Sequence, residues 1–424
     1  MRVCFVSRRY FPAISGMSVY ARNLLRELVA AGDDVVMVSQ YRADAAGAGI
    51  YGGGAPPEVP GVEVRGLRSL GEEASNGGSG FADFERDHDE MVETVLRAHA
   101  EKPFDIVHAQ YAYPTGLAAM EVSRRTGVPN VVSIQGGDGH WVGKCCETHR
   151  AMMQAVLTGA QRLLIGSTSF AREVEEGHGV PVSRFTIVPG ATDVSRYHPR
   201  ADRAVGDLGE VPRLLFHGRV DRRKGVFELI DAFASLRAEG RDIRLTISGI
   251  GPDLDGVRAR VSHLMLDDAV EITGYADYEA APAVYRRGDI FVTPTYSEGF
   301  SNTILEAMAT GLPIASCETI GVVDCLEHER DALLVPVAND WALAAAIARL
   351  LDDARLRRRL AETALDEVRR LYSWRAVGRQ IRGVYEEILG ETPDDGWTRH
   401  YDPATHSADR ADTGCRFRRE PHLL

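Results

Sequence analysis

Short apolar runs alternate with amphipathic helical stretches along nearly all of this chain, and that period constrains the fold more than any other feature. The runs fall at 3–6, 35–39, 106–108, 131–134, 163–166 and 186–188, then at 214–217, 245–248, 270–273, 290–293, 314–316 and 333–335. Apolar strands separated by helices mark βαβ units, whose parallel sheets are covered on both faces. Six runs and then six more, with a separate start for each half, fit two Rossmann-like parallel-sheet α/β domains. A closed β/α barrel would need eight repeats and one start.

Between the halves lies Val188-Pro189-Gly190-Ala191-Thr192-Asp193-Val194-Ser195-Arg196-Tyr197-His198-Pro199, followed by a polar stretch to Pro212. These turn residues read as a linker. The expected division is a first domain over 1–195, a second over 205–373, a closing helix over 374–390 and a polar, turn-rich disordered tail over 391–424. Residues 43–80 are rich in Gly, Ala, Pro and Ser, and read as a flexible insertion in the first domain.

Composition removes whole classes of function. The formal net charge is −12 and no dense basic run occurs, which argues against nucleic acid and against strong attachment to an anionic membrane. The six cysteines show neither zinc spacing nor a disulfide framework. Arg2 is followed by only four apolar residues before Ser7-Arg8-Arg9, so no signal peptide is expected. No stretch approaches the ~20 apolar residues of a membrane span. A cytoplasmic protein with free thiols is the expectation.

The second half carries the strongest chemical signal. After the run at 290–293 comes Ser297-Glu298-Gly299-Phe300-Ser301-Asn302-Thr303-Ile304-Leu305-Glu306-Ala307-Met308, a helix from about Ser301 that stops at Gly311-Leu312-Pro313. Glu298 then precedes the helix and Glu306 lies within it, with carboxylates on the order of 10 Å apart at 1.5 Å per helical residue. That separation suits gripping two ends of a long ligand rather than flanking one bond. The N–H groups of Phe300 to Thr303 lie between, a seat for an anion. Hydroxyls at both ends and phosphates in the middle describe a nucleotide sugar. Arg219 and Lys224, in Gly218-Arg219-Val220-Asp221-Arg222-Arg223-Lys224-Gly225, put two cations where a diphosphate leaving group would develop charge. This is not a P-loop, because its glycine-lysine spacing is absent. Gly249-Ile250-Gly251-Pro252 suggests a dinucleotide fingerprint, but Leu254 stands where the third glycine belongs, so a nicotinamide cofactor is excluded. Gly251 is as consistent with a plain turn as with a ligand contact.

Over roughly residues 1 to 390 the chain resembles the retaining GT-B glycosyltransferases of the GT4 family, with Glu298 and Glu306 matching that family's E-x7-E element and Arg219 and Lys224 its Arg-x4-Lys pair. The resemblance implies two Rossmann-like domains facing each other across a cleft and a last helix crossing back to the first domain. It implies a donor site built from Gly16, Arg219, Lys224, Gly249, Gly251, Gly274, Tyr275, Glu298, Gly299, Phe300, Ser301, Asn302 and Glu306, with Arg219, Lys224, Glu298 and Asp138 as catalytic candidates.

The first half is less close to the family pattern. Ser15-Gly16-Met17-Ser18 precedes a helix over 19–31, and Gly16 would let backbone approach a phosphate or acceptor. In Ile106-Val107-His108-Ala109-Gln110, the family has histidine at both 108 and 110; His108 here is either an acceptor-side residue or a satisfied strand-end histidine. In Gln135-Gly136-Gly137-Asp138-Gly139-His140, Gln135 stands where the family commonly carries histidine. Gln can hydrogen-bond a sugar but cannot shuttle a proton. Asp138 is the candidate for the acceptor hydroxyl, and His140 either replaces the missing imidazole or lies on the surface.

The expected activity is transfer of a sugar from a UDP- or GDP-sugar to an acceptor hydroxyl with retention, by same-face attack. The resemblance implies no cofactor and no essential metal, the nucleotide sugar being a co-substrate. The partners expected are that donor and an acceptor that is soluble or small rather than lipid-linked. A nucleotide-sugar epimerase or hydrolase would instead turn over donor without acceptor, and a non-catalytic sugar-nucleotide-binding subunit would need an active partner. Nothing in the sequence specifies an oligomeric state.

Overall fold

A computed structural model describes residues 1–8, 10, 16–41, 55, 58–69, 81–140, 142–143, 147–276 and 278–397. The chain divides into two compact units, one of Met1–Val188 with the segment from Gly378 onward, the other of Pro189–Val377. In the first unit, strands β1 (Arg2–Ser7), β2 (Asp34–Tyr41), β3 (Val62–Arg68), β4 (Ile106–Gln110), β5 (Asn130–Ile134), β6 (Arg162–Ile165) and β7 (Phe185–Ile187) form one sheet in the order β3-β2-β1-β4-β5-β6-β7. The second unit has β8 (Arg213–His217), β9 (Arg244–Ser248), β10 (Val270–Gly274), β11 (Ile290–Thr293), β12 (Ile314–Cys317) and β13 (Leu333–Val335), in the order β10-β9-β8-β11-β12-β13. Every strand pairing is parallel. Parallel strands need helical crossovers that cover both faces, which is why the central strands are mostly apolar and buried, whereas the edge strands β3 and β10 are largely not.

Each sheet grows outward in one direction from its first strand and then resumes on that strand's other side. The switch points are therefore β1/β4 in the first unit and β8/β11 in the second, where open α/β sheets leave a crevice at the strands' carboxyl ends.

One strand departs from expectation. Residues 62–68, placed by their sequence inside a flexible insertion, pair with β2 from Val35↔Val62 to Tyr41↔Arg68, so the first sheet has seven strands. Much of the rest of 43–80 lies outside the described residues, as does the tail from 398 onward.

The helix Trp374–Ile388 begins in the second unit and continues into the first, where Ile381, Tyr385 and Ile388 have no exposed surface. Its Arg382 donates to Asp33 at 3.0 Å, and Asp33 also holds the chain's amino terminus at 2.8 Å. The turn after Val188 packs into the second unit. Thr192 donates to the Tyr372 carbonyl at 2.8 Å, and Tyr197 is only 2 % exposed.

Candidate active site

In the second unit, the turns after β8, β9 and β10 are laced together by backbone. Gly218 N–H donates to Ser248, Gly249 N–H to Gly274, and Val220 N–H to Ile250, at 3.0, 2.8 and 2.9 Å. A Cβ on Gly249 would lie 1.7 Å from the Gly218 oxygen, and one on Gly251 2.1 Å from the Val220 oxygen. These glycines are required by turn-on-turn packing before any ligand is considered. Gly274 has φ 71°, and the Tyr275 ring after it is 45 % exposed.

On that platform Asp221 accepts from the Arg223 N–H and caps the short turn Arg222–Lys224, while forming an ion pair with Arg219 at 3.4 Å. Several charged hydrogen bonds hold the Asp221 carboxyl down at about 2 against the upward push of burial. Lys224, at the end of the turn, donates to Glu298 Oε1 at 2.6 Å. Glu298 belongs to the loop after β11, so the pair joins the two strands of the switch point. The Glu298 N–H is bonded to the Ile320 carbonyl at 3.0 Å, which ties that loop to the segment after β12.

The loop leads through Gly299 and Phe300 into the helix Asn302–Thr310, with Ser301 at its N-cap position and buried. Phe300 lies 5.7 Å from Tyr372, centroid to centroid, and packs against Gly190. Glu306 is in the second turn. Its Oε2 accepts from the hydroxyl of Tyr285 at 2.7 Å. Burial pushes its carboxyl up to about 7, against the pull of the Tyr285 and Tyr197 hydroxyls and the charge of Arg196. Among the described residues no group of three or more His, Cys, Asp or Glu is placed to hold a metal ion.

Sequence reasoning missed Tyr285, Tyr197 and His217. His217 ends β8 with its Nδ1 3.1 Å from Ser248 Oγ and its ring 5.1 Å from Tyr285; burial lowers its pKa to about 4, so it is neutral at ordinary pH. Tyr197 was visible only as part of the linker.

In the first unit, Ser7 donates to Gln110 Oε1 at 2.8 Å across the β1/β4 switch point, and Gln110 Nε2 donates to the Met17 carbonyl at 3.0 Å. Gly16 is the exposed first residue of the helix Gly16–Ala30 rather than part of a loop ahead of it.

The structure bears on two of the candidates named from the sequence, and His108 takes the second of its two readings. His108 is wholly buried, with Nδ1 hydrogen-bonded to the Tyr385 hydroxyl and Nε2 to Ser133 Oγ at 2.7 Å; burial lowers its pKa to about 3. It is a core histidine with both nitrogens occupied, not an acceptor contact. Asp138 is also wholly buried. Its Oδ2 accepts from the N–H groups of Ala112 and Gln135 at 2.8 and 3.2 Å, while its Oδ1 has no hydrogen-bond partner among the described residues. Burial pushes its carboxyl up to about 7. Asp138 Oδ2 therefore fastens the loop after β4 to the turn after β5. Gln135 is partly exposed on that turn; the side chain of His140 lies outside the described residues.

Two parallel-sheet units, each with a switch point at its strands' carboxyl ends, place the chain in the GT-B class of folds. The chain belongs to the GT4-like glycosyltransferases: residues 15–191 match the family described as glycosyl transferase 4-like domain, and residues 200–366 the family described as glycosyl transferases group 1. It is 35 % identical to the alpha-D-kanosaminyltransferase of Streptomyces kanamyceticus over 43 % of its own length, spanning 47 % of that protein. It is 28 % identical to the D-inositol 3-phosphate glycosyltransferase of Pseudarthrobacter chlorophenolicus, over 77 % of this chain and 80 % of that one. Among solved structures, sucrose-phosphate synthase from Thermosynechococcus elongatus superposes with a TM-score of 0.76 at 23 % identity, over 92 % of this chain and all of the other. No helix among the described residues is long and apolar enough to cross a membrane.

Proposed function

We propose that this chain moves a sugar from a nucleoside diphosphate sugar to an acceptor hydroxyl, with retention at the anomeric carbon and without an essential metal. The observation that carries this reading is the Lys224–Glu298 pair at the β8/β11 switch point, with Arg219 before it and Glu306 after it. Lys224, Arg219 and the N–H groups opening the helix Asn302–Thr310 stabilise the diphosphate as it leaves. Glu306 accepts from the ribose hydroxyls, and Glu298 accepts from hydroxyls of the transferred sugar.

In the step itself the anomeric carbon–oxygen bond breaks and its electron pair goes to the departing phosphate oxygen. The acceptor oxygen bonds to that carbon on the same face, and its proton passes to the same phosphate oxygen. A double displacement would need a free carboxylate beside the anomeric carbon. Glu298 is engaged by Lys224, and Asp138 is wholly buried with its Oδ2 held by backbone. The relative named for D-inositol 3-phosphate is consistent with a small hydrophilic acceptor.

The test is thermal stabilisation by UDP-, GDP-, ADP- and dTDP-sugars, for the native chain and Glu306→Ala. A donor at about 100 times its Kd should add roughly 2.7 kcal/mol, lost in the variant. Stabilisation unchanged in Glu306→Ala refutes the donor site. Donor consumed at full rate without acceptor points to an epimerase or hydrolase.

A further inference from the structure

Glu306 is gripped from behind. Tyr285, in the helix Ala281–Arg287, has no exposed surface, and its hydroxyl lies 2.7 Å from Glu306 Oε2 and 3.2 Å from the Thr303 carbonyl in the same helix as Glu306. Tyr197, from the turn that leads into the second unit, packs beside it: the two tyrosine rings meet edge to face, 5.5 Å apart at 85°. His217 and Phe291 pack on Tyr285 with centroids at 5.1 and 5.5 Å. The Tyr285 hydroxyl cannot swing away without disturbing this close-packed aromatic cluster.

A carboxylate offers about four lone-pair positions. One is taken by the Tyr285 hydroxyl, which leaves room for the pair of donors that a vicinal diol brings. We infer that Tyr285 is a positioning residue, whose hydroxyl locks the Glu306 carboxylate so that its remaining lone pairs meet the two ribose hydroxyls of the donor. The inference rests on the ribose role given to Glu306 above. The groups facing that carboxylate are the two tyrosines and the charge of Arg196; His217 stands behind Tyr285 and is neutral.

The experiment measures binding of UDP, GDP, ADP and dTDP by calorimetry from pH 5.5 to 8.5 for Tyr285→Phe, Glu306→Gln and the Tyr285→Phe/Glu306→Gln double variant. In parallel, the Glu306 carboxyl is titrated by carbon-13 NMR, its signal assigned by its loss in Glu306→Gln. Tyr285→Phe should raise the Glu306 titration midpoint, because a donor to the ionised form has gone. It should weaken nucleotide binding about tenfold while leaving saturated turnover within about twofold, and should add nothing in the Glu306→Gln background. An unmoved midpoint in Tyr285→Phe overturns the inference, as does an equal loss of binding in that background. Weakened binding in Glu306→Gln with a silent Tyr285→Phe overturns this inference alone. Unchanged binding in Glu306→Gln overturns the ribose role with it.

Discussion

Lys224 and Glu298 stand 2.6 Å apart across the β8/β11 switch point, each occupying the other's charge before any ligand arrives. Both are partly exposed, with side chains 29 % and 17 % accessible, so the pair itself adds less than about 1 kcal/mol to stability. In the proposed function its value is to keep two long side chains in place until a diphosphate and a sugar take over as their partners.

Lys224→Ala should therefore separate stability from activity. We expect a melting temperature close to that of the native chain and a fall in turnover of about 10²–10³, the usual loss for one preorganised donor. Steady-state kinetics with a thermal melt checks both. A large drop in melting temperature with near-native turnover contradicts the assignment.

The raised pKa of Glu306 gives opposite pH trends for ligand and fold. In the proposed function its ionised carboxylate accepts the ribose hydroxyls, so nucleotide affinity should fall as pH drops through about 7. Folding goes the other way. A carboxyl raised above its unfolded value contributes stability that is complete below about 4.5 and lost as pH rises through about 7. Glu306→Gln should flatten both dependences, as measured by calorimetry and denaturation from pH 4 to 8.

Asp138→Ala should destabilise the first unit, because the N–H groups of Ala112 and Gln135 lose their acceptor inside the protein. Leaving such groups unsatisfied costs about 1–3 kcal/mol. Asp138→Asn keeps one carbonyl oxygen and should recover much of the loss. Urea titration distinguishes the two, and equal stability in native and Ala forms would contradict the fastening role.

Gly249→Ala should abolish donor stabilisation without touching any charged residue. Its Cβ would meet the Gly218 oxygen at 1.7 Å, so the turns carrying Arg219 and Lys224 must shift. Nucleotide-induced thermal stabilisation as large as in the native chain would show that the interlock is dispensable.

The strand pattern was legible because buried parallel strands are continuous apolar runs, and all twelve expected runs correspond to strands. β3 was hidden by its own composition. An edge strand whose only buried residue is Leu67, flanked by Gly-rich segments, alternates too weakly to stand out. That Lys224 and Glu298 follow strands of one sheet was legible from the strand pattern; that those strands are adjacent and the two side chains pair was not. Nor was burial. His108 is closed over by Tyr385, 277 residues later, and Asp138 is engaged by backbone of the loop after β4; neither neighbour is implied by local pattern. The same holds for the tyrosines behind Glu306, which reach it from a linker and from a different helix.

The returning helix sets a timetable for synthesis. The first unit's core needs Tyr385 and its neighbours, but the ribosome reaches them only after making the whole of the second unit. At ~5–20 residues per second, the roughly 200 residues between Val188 and Tyr385 keep that core open for on the order of 10–40 s. The second unit is contiguous in the chain and can close first. Nascent chains of this protein are thus expected to meet chaperones through the half that emerges earliest.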